Sequence, residues 1–568
     1  MKAIAPIDYV VIGAYMLLML GIGVFSMRFN RGASDYFKGG GRIHWLAAGL
    51  SSFMSGFSAW TFTGQAGMAY QHGLIAILMY LGNAATFLLG YWVFAVRWRR
   101  ARISTVMEYL VERFDERTRQ AFSWTTIVFQ FFIGASQLYG LALFVAPACG
   151  FDLGPTILGS GAVILAYCVI GGLWAVVITD FLQAAILVPF TVVMVVASLA
   201  RVGGLGGLLA GLPPEMTSFH LAPGLGWGYL ACWTVMVSFG YNTAAMAQRY
   251  FCVEDEKASR KIALLCFGLF VVGAFIWFIP PLAMRVLHPD LREVWPGLAN
   301  PQESSYALAA VTLLPNGLIG IMLAAMFSAT MSSISGTLNL HASIISRDIV
   351  PALFPGRAHD VERLPIAWIA TFGVGAIIIA LAMTMAAQGQ SVFKVMLTFN
   401  TIMSLAYGPP ALLGLLVKRT PYWSGLASFG AALVLGSYGT FALGWELVQN
   451  VVVVIPVAVA VFFLSALFPR EDAAHTGRRE GLFRRLATPV DVQAEVGAIA
   501  DHTTEVFRFL SRTTAAVGVL SLLLIGQAAP GDRATVVGYV AMTLVVAALL
   551  SRVRARPGAP APLPEKGA

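Results

Sequence analysis

Charge is what this chain has least of. Of its 568 residues only 11% are Asp, Glu, Lys or Arg, against about a quarter in a soluble globular protein. That is too few to clothe a surface facing water. The shortage excludes a cytosolic enzyme, a nucleic-acid binder and a disordered chain, and it overrides the several soluble domains that length alone would suggest. Cysteine is scarce too. Cys149, Cys168, Cys232, Cys252 and Cys266 are odd in number and lie in or beside apolar segments without metal-ligand spacing, so they read as small apolar side chains rather than a disulfide framework. There is no G-x-x-x-x-G-K-[ST] loop, no H-E-x-x-H, no C-x-x-C and no G-x-S-x-G, which removes a nucleotide motor and the common hydrolytic centres. No residue offers itself for catalysis, and nothing calls for an organic cofactor.

What is present is apolar. Hydrophobic residues make up 58% of the chain, with 57 glycines, and mean hydropathy is +0.76. A bilayer is the solvent this composition fits. Candidate spans fall near 7–27, 45–70, 74–96, 119–147, 155–172, 174–200, 225–248, 261–287, 305–346, 364–387, 391–417, 422–443, 446–468, 513–529 and 534–551, about 15 transmembrane helices at about 20 residues per crossing. The first is long enough to span and has no cleavage site after a short core, so it is not a removable signal. If the spans alternate, the clusters Arg28/Arg31/Lys38/Arg42, Arg97/Arg99/Arg100/Arg102, Arg249/Lys257/Arg260/Lys261 and Lys418/Arg419 fall on one side. Positive residues mark the cytoplasmic side. The expectation is a multi-pass protein of the plasma (inner) membrane with its N-terminus outside and its C-terminus in the cytoplasm. The net charge of +9 is then a topology signal, and the core is left with essentially Asp180.

Segments 45–200 and 225–418 each hold five spans, the layout of a five-plus-five inverted repeat in an all-α integral membrane protein. Residues 1–44 add a span and a cytoplasmic loop, 201–224 a glycine-rich outer loop, and 419–468 two peripheral spans. Residues 469–512 read as an amphipathic cytoplasmic linker through Val490, Val492, Val496 and Ile499. Residues 513–551 form a two-helix hairpin, and 552–568 a proline-rich disordered tail.

Polar groups at membrane depth carry the functional signal. Asp180 stands in the run WAVVITDFLQAAILV. A carboxylate there costs at least about 2.5–3.5 kcal/mol, so it should face a cation, a partner or water; snorkelling to the headgroups is the alternative. Residues 324–341, AAMFSATMSSISGTLNLH, crowd hydroxyls onto one helix, either to let helices pack closely or to supply the oxygens that a hard cation wants. Glycines interrupt 49–70, and 225–248 matches it in the second half with Gly240, Ser238, Asn242, Trp233 and Tyr241. Such paired breaks point to a binding site at the midplane.

Four stretches, SDYFKGGGRIHWLAAGLSS with TGQAGMAYQHG (34–73), GGLWAVVITDFLQ (171–183), AQRYFCVEDEKASRK (247–261) and LLPNGLIGIMLAAMFSATMSSISGTLNLHASIISRDI (313–349), resemble the sodium/solute symporter family of sodium/glucose, sodium/proline and sialic acid cotransporters over about residues 5–468. The resemblance implies alternating access on that inverted repeat, with broken first and sixth core helices. It implies a principal sodium site from the carbonyls of Met54, Phe57 and Ala329 and the hydroxyls of Ser332 and Ser333. A second sodium would use Asp180, Ser332 and Ser335; Gly336 replaces a further serine of that pattern, leaving water or Thr337 to complete it. For the solute it implies Ser58, Trp60, Thr61, Gln65, Gln137, Tyr241, Asn242, Asn400 and Ser404, each of which could instead be a helix–helix hydrogen bond. The function expected is sodium-coupled import of a sugar, amino acid or organic acid. No Lys or Arg at the midplane offers to clamp a carboxylate, which leans towards a neutral polyol or sugar. A solute sensor signalling through a cytoplasmic partner and a passive channel are the other readings.

Overall fold

In hydrocarbon every backbone N–H and C=O must be bonded within the protein, and a helix does this within its own segment. In the computed structural model, which describes residues 4–26, 43–56, 59–103, 105–168, 173–217, 225–345, 349, 364–469, 473–496, 503–526 and 528–554, every regular element is helical. Among the described residues nine helices are long and apolar enough to cross a bilayer, and Pro6–Met19, Trp45–Met54 and Leu153–Ala166 are shorter apolar helices. Local chemistry sets the boundaries. Asp115 and Asp255 accept from the Thr118 and Ala258 N–H groups at 2.8 and 2.7 Å, starting Glu116–Cys149 and Glu256–Leu287, as short acidic side chains do for the first unbonded donors of a helix. Gly150, left-handed at φ 70°, ends the first of these.

Three apolar runs are discontinuous. Trp45–Ser55 stops at Gly56; the chain is helical again from residue 59, through a π-helical turn Thr61–Gln65 into Ala66–His72. Trp227–Tyr241 stops at Asn242, and Ala244–Phe251 resumes after Thr243. The expected span 305–346 is two helices, Ser305–Leu313 and Leu318–Ile344. Pro315 cannot continue a helix, and Gly317 turns the chain at φ 87°. Past residue 469 the chain forms Ala473–Ala487 and a turn of helix, Val492–Val496, which carries Val492 and Val496 of the expected amphipathic pattern (Ile499 lies outside the described residues), and the next helix begins at Thr503, not 513.

Burial sorts these helices. In Leu318–Leu338, 88% of the apolar window is buried, against 28% in Thr503–Gly526; the serine-rich helix is central and the last pair peripheral. Leu173–Val202 packs on Trp45–Ser55, Glu256–Leu287 and Leu318–Ile344, so it lies between the first interrupted segment and the serine-rich helix. The expectation that Asp180 is essentially the only charge in the core needs correction. Asp8, Arg99, Arg113, Arg249 and Glu303 are all 5% exposed or less. Most of them meet helix ends, where unbonded backbone groups accept a charge that a mid-helix position would not.

Candidate functional site

A helix that restarts after a break presents N–H groups with no carbonyl four residues back. Here the Ala59 N–H donates to Thr330 Oγ1 at 3.3 Å, and Thr63 Oγ1 donates to the Ala59 carbonyl at 2.8 Å. The first bond lays the break against the serine-rich helix, one residue from Ala329. Met54 and Ala329 are buried, Ser333 is half-buried and Ser335 buried. Phe57 and Ser58 lie outside the described residues, as does the side chain of Ser332. Thr337 Oγ1 donates to the Ser333 carbonyl at 3.1 Å on its own helix, and a side chain at Gly336 would meet open space. Thr330 was visible in the sequence only as one hydroxyl among several; its role depends on a residue 271 positions away.

Asp180 does not snorkel. It is 2% exposed and accepts from Ser51 Oγ at 2.7 Å, and Ser51 in turn accepts from Arg249 Nε at 3.1 Å. The relay joins Leu173–Val202, the half-helix Trp45–Ser55 and the half-helix Ala244–Phe251. One turn along from Asp180, Gln183 Nε2 donates to Ser328 Oγ at 2.7 Å, tying the same helix to the serine-rich one. Arg249 reads in the sequence as a loop cation, because Ser51, 198 residues earlier, is invisible to local pattern.

The solute positions divide. Trp60 lies nearly parallel to Phe393 and Trp233, with ring centres 5.9 and 6.5 Å away. The approach depends on Gly64, where a Cβ would stand 3.1 Å from Phe393 Cα. Thr61 Oγ1, Gln65 Oε1 and Gln137 Oε1 are buried without a hydrogen-bond partner among the described residues. Thr401 Oγ1 is in the same condition; it was not among the expected residues, although it adjoins Asn400. Ser404 Oγ lies 3.1 Å from where a Cβ on Gly240 would stand, so the last core-type helix and the second interrupted helix touch there. Tyr241 packs its ring on Phe87 and Phe270, and Asn242 Nδ2 donates to the carbonyls of Thr86 and Ser238 at 3.3 and 3.0 Å. Asn400 Nδ2 donates to Met396 O at 2.8 Å on its own helix.

The sequence profile described as the sodium:solute symporter family matches residues 36–429. The sodium/glucose cotransporter 2 of Rattus norvegicus is 28% identical over 461 residues, 73% of this chain and 68% of that protein. The sodium/myo-inositol cotransporter 2 of Mus musculus is 27% identical over 475 residues, 77% of this chain and 70% of that protein. The sodium/sialic acid symporter of Proteus mirabilis is 25% identical over 440 residues, 75% of this chain and 87% of that protein. A substrate-bound outward-open Na+-coupled sialic acid symporter has the same fold, with a TM-score of 0.68 at 23% identity, covering 82% of this chain and 98% of that one.

Proposed function

The chain belongs to the sodium:solute symporter family, and from that premise we propose that it imports a small, neutral, polyhydroxylated solute together with sodium by alternating access. The observation that carries the reading is the Ala59 to Thr330 bond across the helix break. It supports a principal sodium site made from the carbonyls of Met54, Phe57 and Ala329 and the hydroxyls of Ser332 and Ser333. A cation there would bridge the broken helix to the serine-rich helix, setting the first interrupted helix before solute binds. Sodium moving down the membrane potential gains about 2.3 kcal/mol per 100 mV, and coupling requires that sodium and solute favour the same conformation, so each tightens the other's binding.

The unbonded groups support this solute class. Thr61, Gln65, Gln137 and Thr401 leave hydroxyl and amide oxygens without partners among the described residues. Buried polar atoms without a partner cost about 1–3 kcal/mol each, so a ligand rich in O–H donors would satisfy them. The described arginines that are buried, Arg99, Arg113 and Arg249, all meet helix ends or the Ser51 relay rather than these oxygens. The relatives named for glucose and myo-inositol transport set the first compounds to try. A second sodium at Asp180, Ser332 and Ser335 would share its carboxylate with Ser51, near the charge of Arg249.

Uptake of glucose and myo-inositol into proteoliposomes under an inward sodium gradient tests this. Accumulation above the outside concentration is expected, with at least a tenfold loss for Ser332→Ala, the lower end of what losing even an outer-shell partner of a metal site costs. Uptake that ignores sodium sinks the symport reading; uptake that equilibrates without concentrating indicates a channel. A Hill slope near one in sodium leaves Asp180 to the relay, whereas a slope near two gives it an ion.

A further inference from the structure

Residues 473–496, beyond the part matched by the family profile, run across the basic end of the molecule, where two groups of helix ends are each held together internally. In the first, Arg99 Nε and Nη2 donate to the carbonyls of Val253 and Glu254 at 2.7 and 2.8 Å, and the Ile43 N–H donates to Cys252 O at 3.1 Å. With the Arg249 to Ser51 bond, these contacts make one body of residues 43–55, 95–100 and 244–256. In the second, Tyr109 Oη donates to Ala411 O at 2.8 Å, and Arg113 donates to the carbonyls of Gly414 and Val417 at 3.0 and 2.8 Å. This joins 106–113 to the end of Val392–Leu416. The first body contains both half-helices that end at this face; the second contains neither.

The segment 473–496 is bonded to both. On the first body, Val490 N–H donates to Glu256 Oε1 at 3.0 Å. At the join between the bodies, Arg102 meets both carboxylate oxygens of Glu495, the closer at 2.7 Å, and its guanidinium also reaches the carbonyls of Arg485, Thr488 and Pro489 at 3.1, 3.3 and 2.9 Å. On the second body, Arg485 pairs with Glu112, Arg479 donates to Thr420 O at 3.3 Å, and the His475 ring stacks on Tyr422 at 4.1 Å. Leu482 is fully buried beneath the segment. A second sign that the contact is built is the backbone of Arg102. At φ 56° it is the non-glycine residue with positive φ among those described, a conformation that a side-chain-bearing residue rarely adopts unless its surroundings hold it.

We propose that residues 473–496 are a strap that holds the two bodies together and so restrains opening of the basic end, which the symporter reading makes the cytoplasmic gate. Three of its fastenings are ion pairs, Arg102–Glu495 and Arg485–Glu112 with side chains 20–34% exposed and Lys418–Glu480 with both about half exposed, so ionic strength on that face sets how firmly it holds. The strap is part of the transport cycle: sodium and solute must release it at each inward opening, and salt lowers that barrier.

The test uses the full chain in proteoliposomes. Ala101 is fully buried at the join, its carbonyl accepting from Arg485 Nε at 3.2 Å. In an Ala101→Cys background with the native cysteines replaced, labelling of that thiol by N-ethylmaleimide should quicken about threefold to fivefold on Arg485→Ala/Glu495→Gln, the range that two partly exposed ion pairs can hold back. Maximal sodium-driven uptake should rise with it, and its dependence on salt at that face should flatten. The charge-swapped Glu112→Arg/Arg485→Glu chain should return towards the wild-type labelling rate, which a merely misfolded strap would not do. Unchanged labelling at position 101 in a normally folded double variant overturns the strap, as does failure of the swap to restore the rate where Arg485→Glu alone raises it. Because the labelling needs no solute, it reads the strap even if uptake shows the symporter reading to be wrong.

Discussion

The two ends of Val392–Leu416 are closed by opposite charges. At its start, buried Glu303 accepts from Ser391 Oγ at 2.6 Å and from the Val392 and Phe393 N–H groups at 3.0 and 3.1 Å. At its other end, buried Arg113 donates to Gly414 O, Val417 O and Thr420 Oγ1. The pattern repeats elsewhere: Asp8 accepts from the Gly317 and Gly320 N–H groups at 2.6 and 2.7 Å, and Arg99 serves carbonyls just past Ala244–Phe251. Helix starts expose N–H groups and the positive pole, helix ends expose carbonyls and the negative pole. The sign of a buried charge here therefore reports which end of a helix it serves. The difference between the ends is one of fastening. The acidic end is tied by single buried carboxylates, whereas the basic end adds a strap over its arginines.

The largest expected effect comes from breaking the basic end. Arg113→Ala strands two backbone carbonyls and the Thr420 hydroxyl in a buried place, and should cost about 3–4 kcal/mol, summing modest charged hydrogen bonds. Thermal unfolding in detergent should show a clear drop, and Arg113→Lys, with a point charge in place of a planar fork, should recover only part of it. Glu303→Ala should cost less, about 2–3 kcal/mol, because Ser391 can turn its hydroxyl elsewhere while the two N–H groups cannot. Its second effect is on Phe393, whose backbone Glu303 holds beneath the rings of Trp60 and Trp233. A loss of apparent solute affinity larger than the loss of maximal rate would place the carboxylate among the groups that position the proposed solute site; equal losses would leave it a helix cap.

Much of this was legible in the chain before any coordinates. Apolar runs announce helices because hydrocarbon leaves the backbone no other partner, and the glycine-interrupted stretches 49–70 and 225–248 do hold the breaks. Partnership between distant residues was not legible. Arg249, Arg99 and Arg113 look like loop cations until Ser51, Val253 and Gly414 are brought to them. The start of Thr503–Ser521 does not announce itself, because only solid apolar runs read as spans. Its first turns are instead two-faced, with Val506, Phe507 and Leu510 buried and Arg508 and Arg512 exposed. Phe507 meets His44 and Phe181 edge-on at 5.2 and 5.3 Å, contacts that only the fold creates. The strap escaped for the same reason: Glu495 and Arg102 are 393 positions apart.

The smallest expected effect sharpens the contrast through pH. Burial pushes the Glu303 carboxyl above its ordinary value, against the donors of Ser391, Phe393 and Val392, which pull it down. A raised carboxyl binds its proton more tightly folded than unfolded. Its contribution to stability is therefore greatest below the ordinary carboxylate range and declines as pH rises through the raised value. Glu495, in contrast, is shifted up by burial but further down by its bonds to Arg102, for a net lowering. Its contribution is present above the ordinary value and lost as pH falls through the lowered one. Acidification should thus loosen the strapped end while leaving the carboxylate-capped end firm. Thermal midpoints of wild type, Glu303→Gln and Glu495→Gln across the acid range separate the two. The gap between wild type and Glu495→Gln should close on acidification, and the gap to Glu303→Gln should not. If both gaps close together, burial does not dominate at Glu303, and the two ends differ in the sign of their charges but not in how those charges are held.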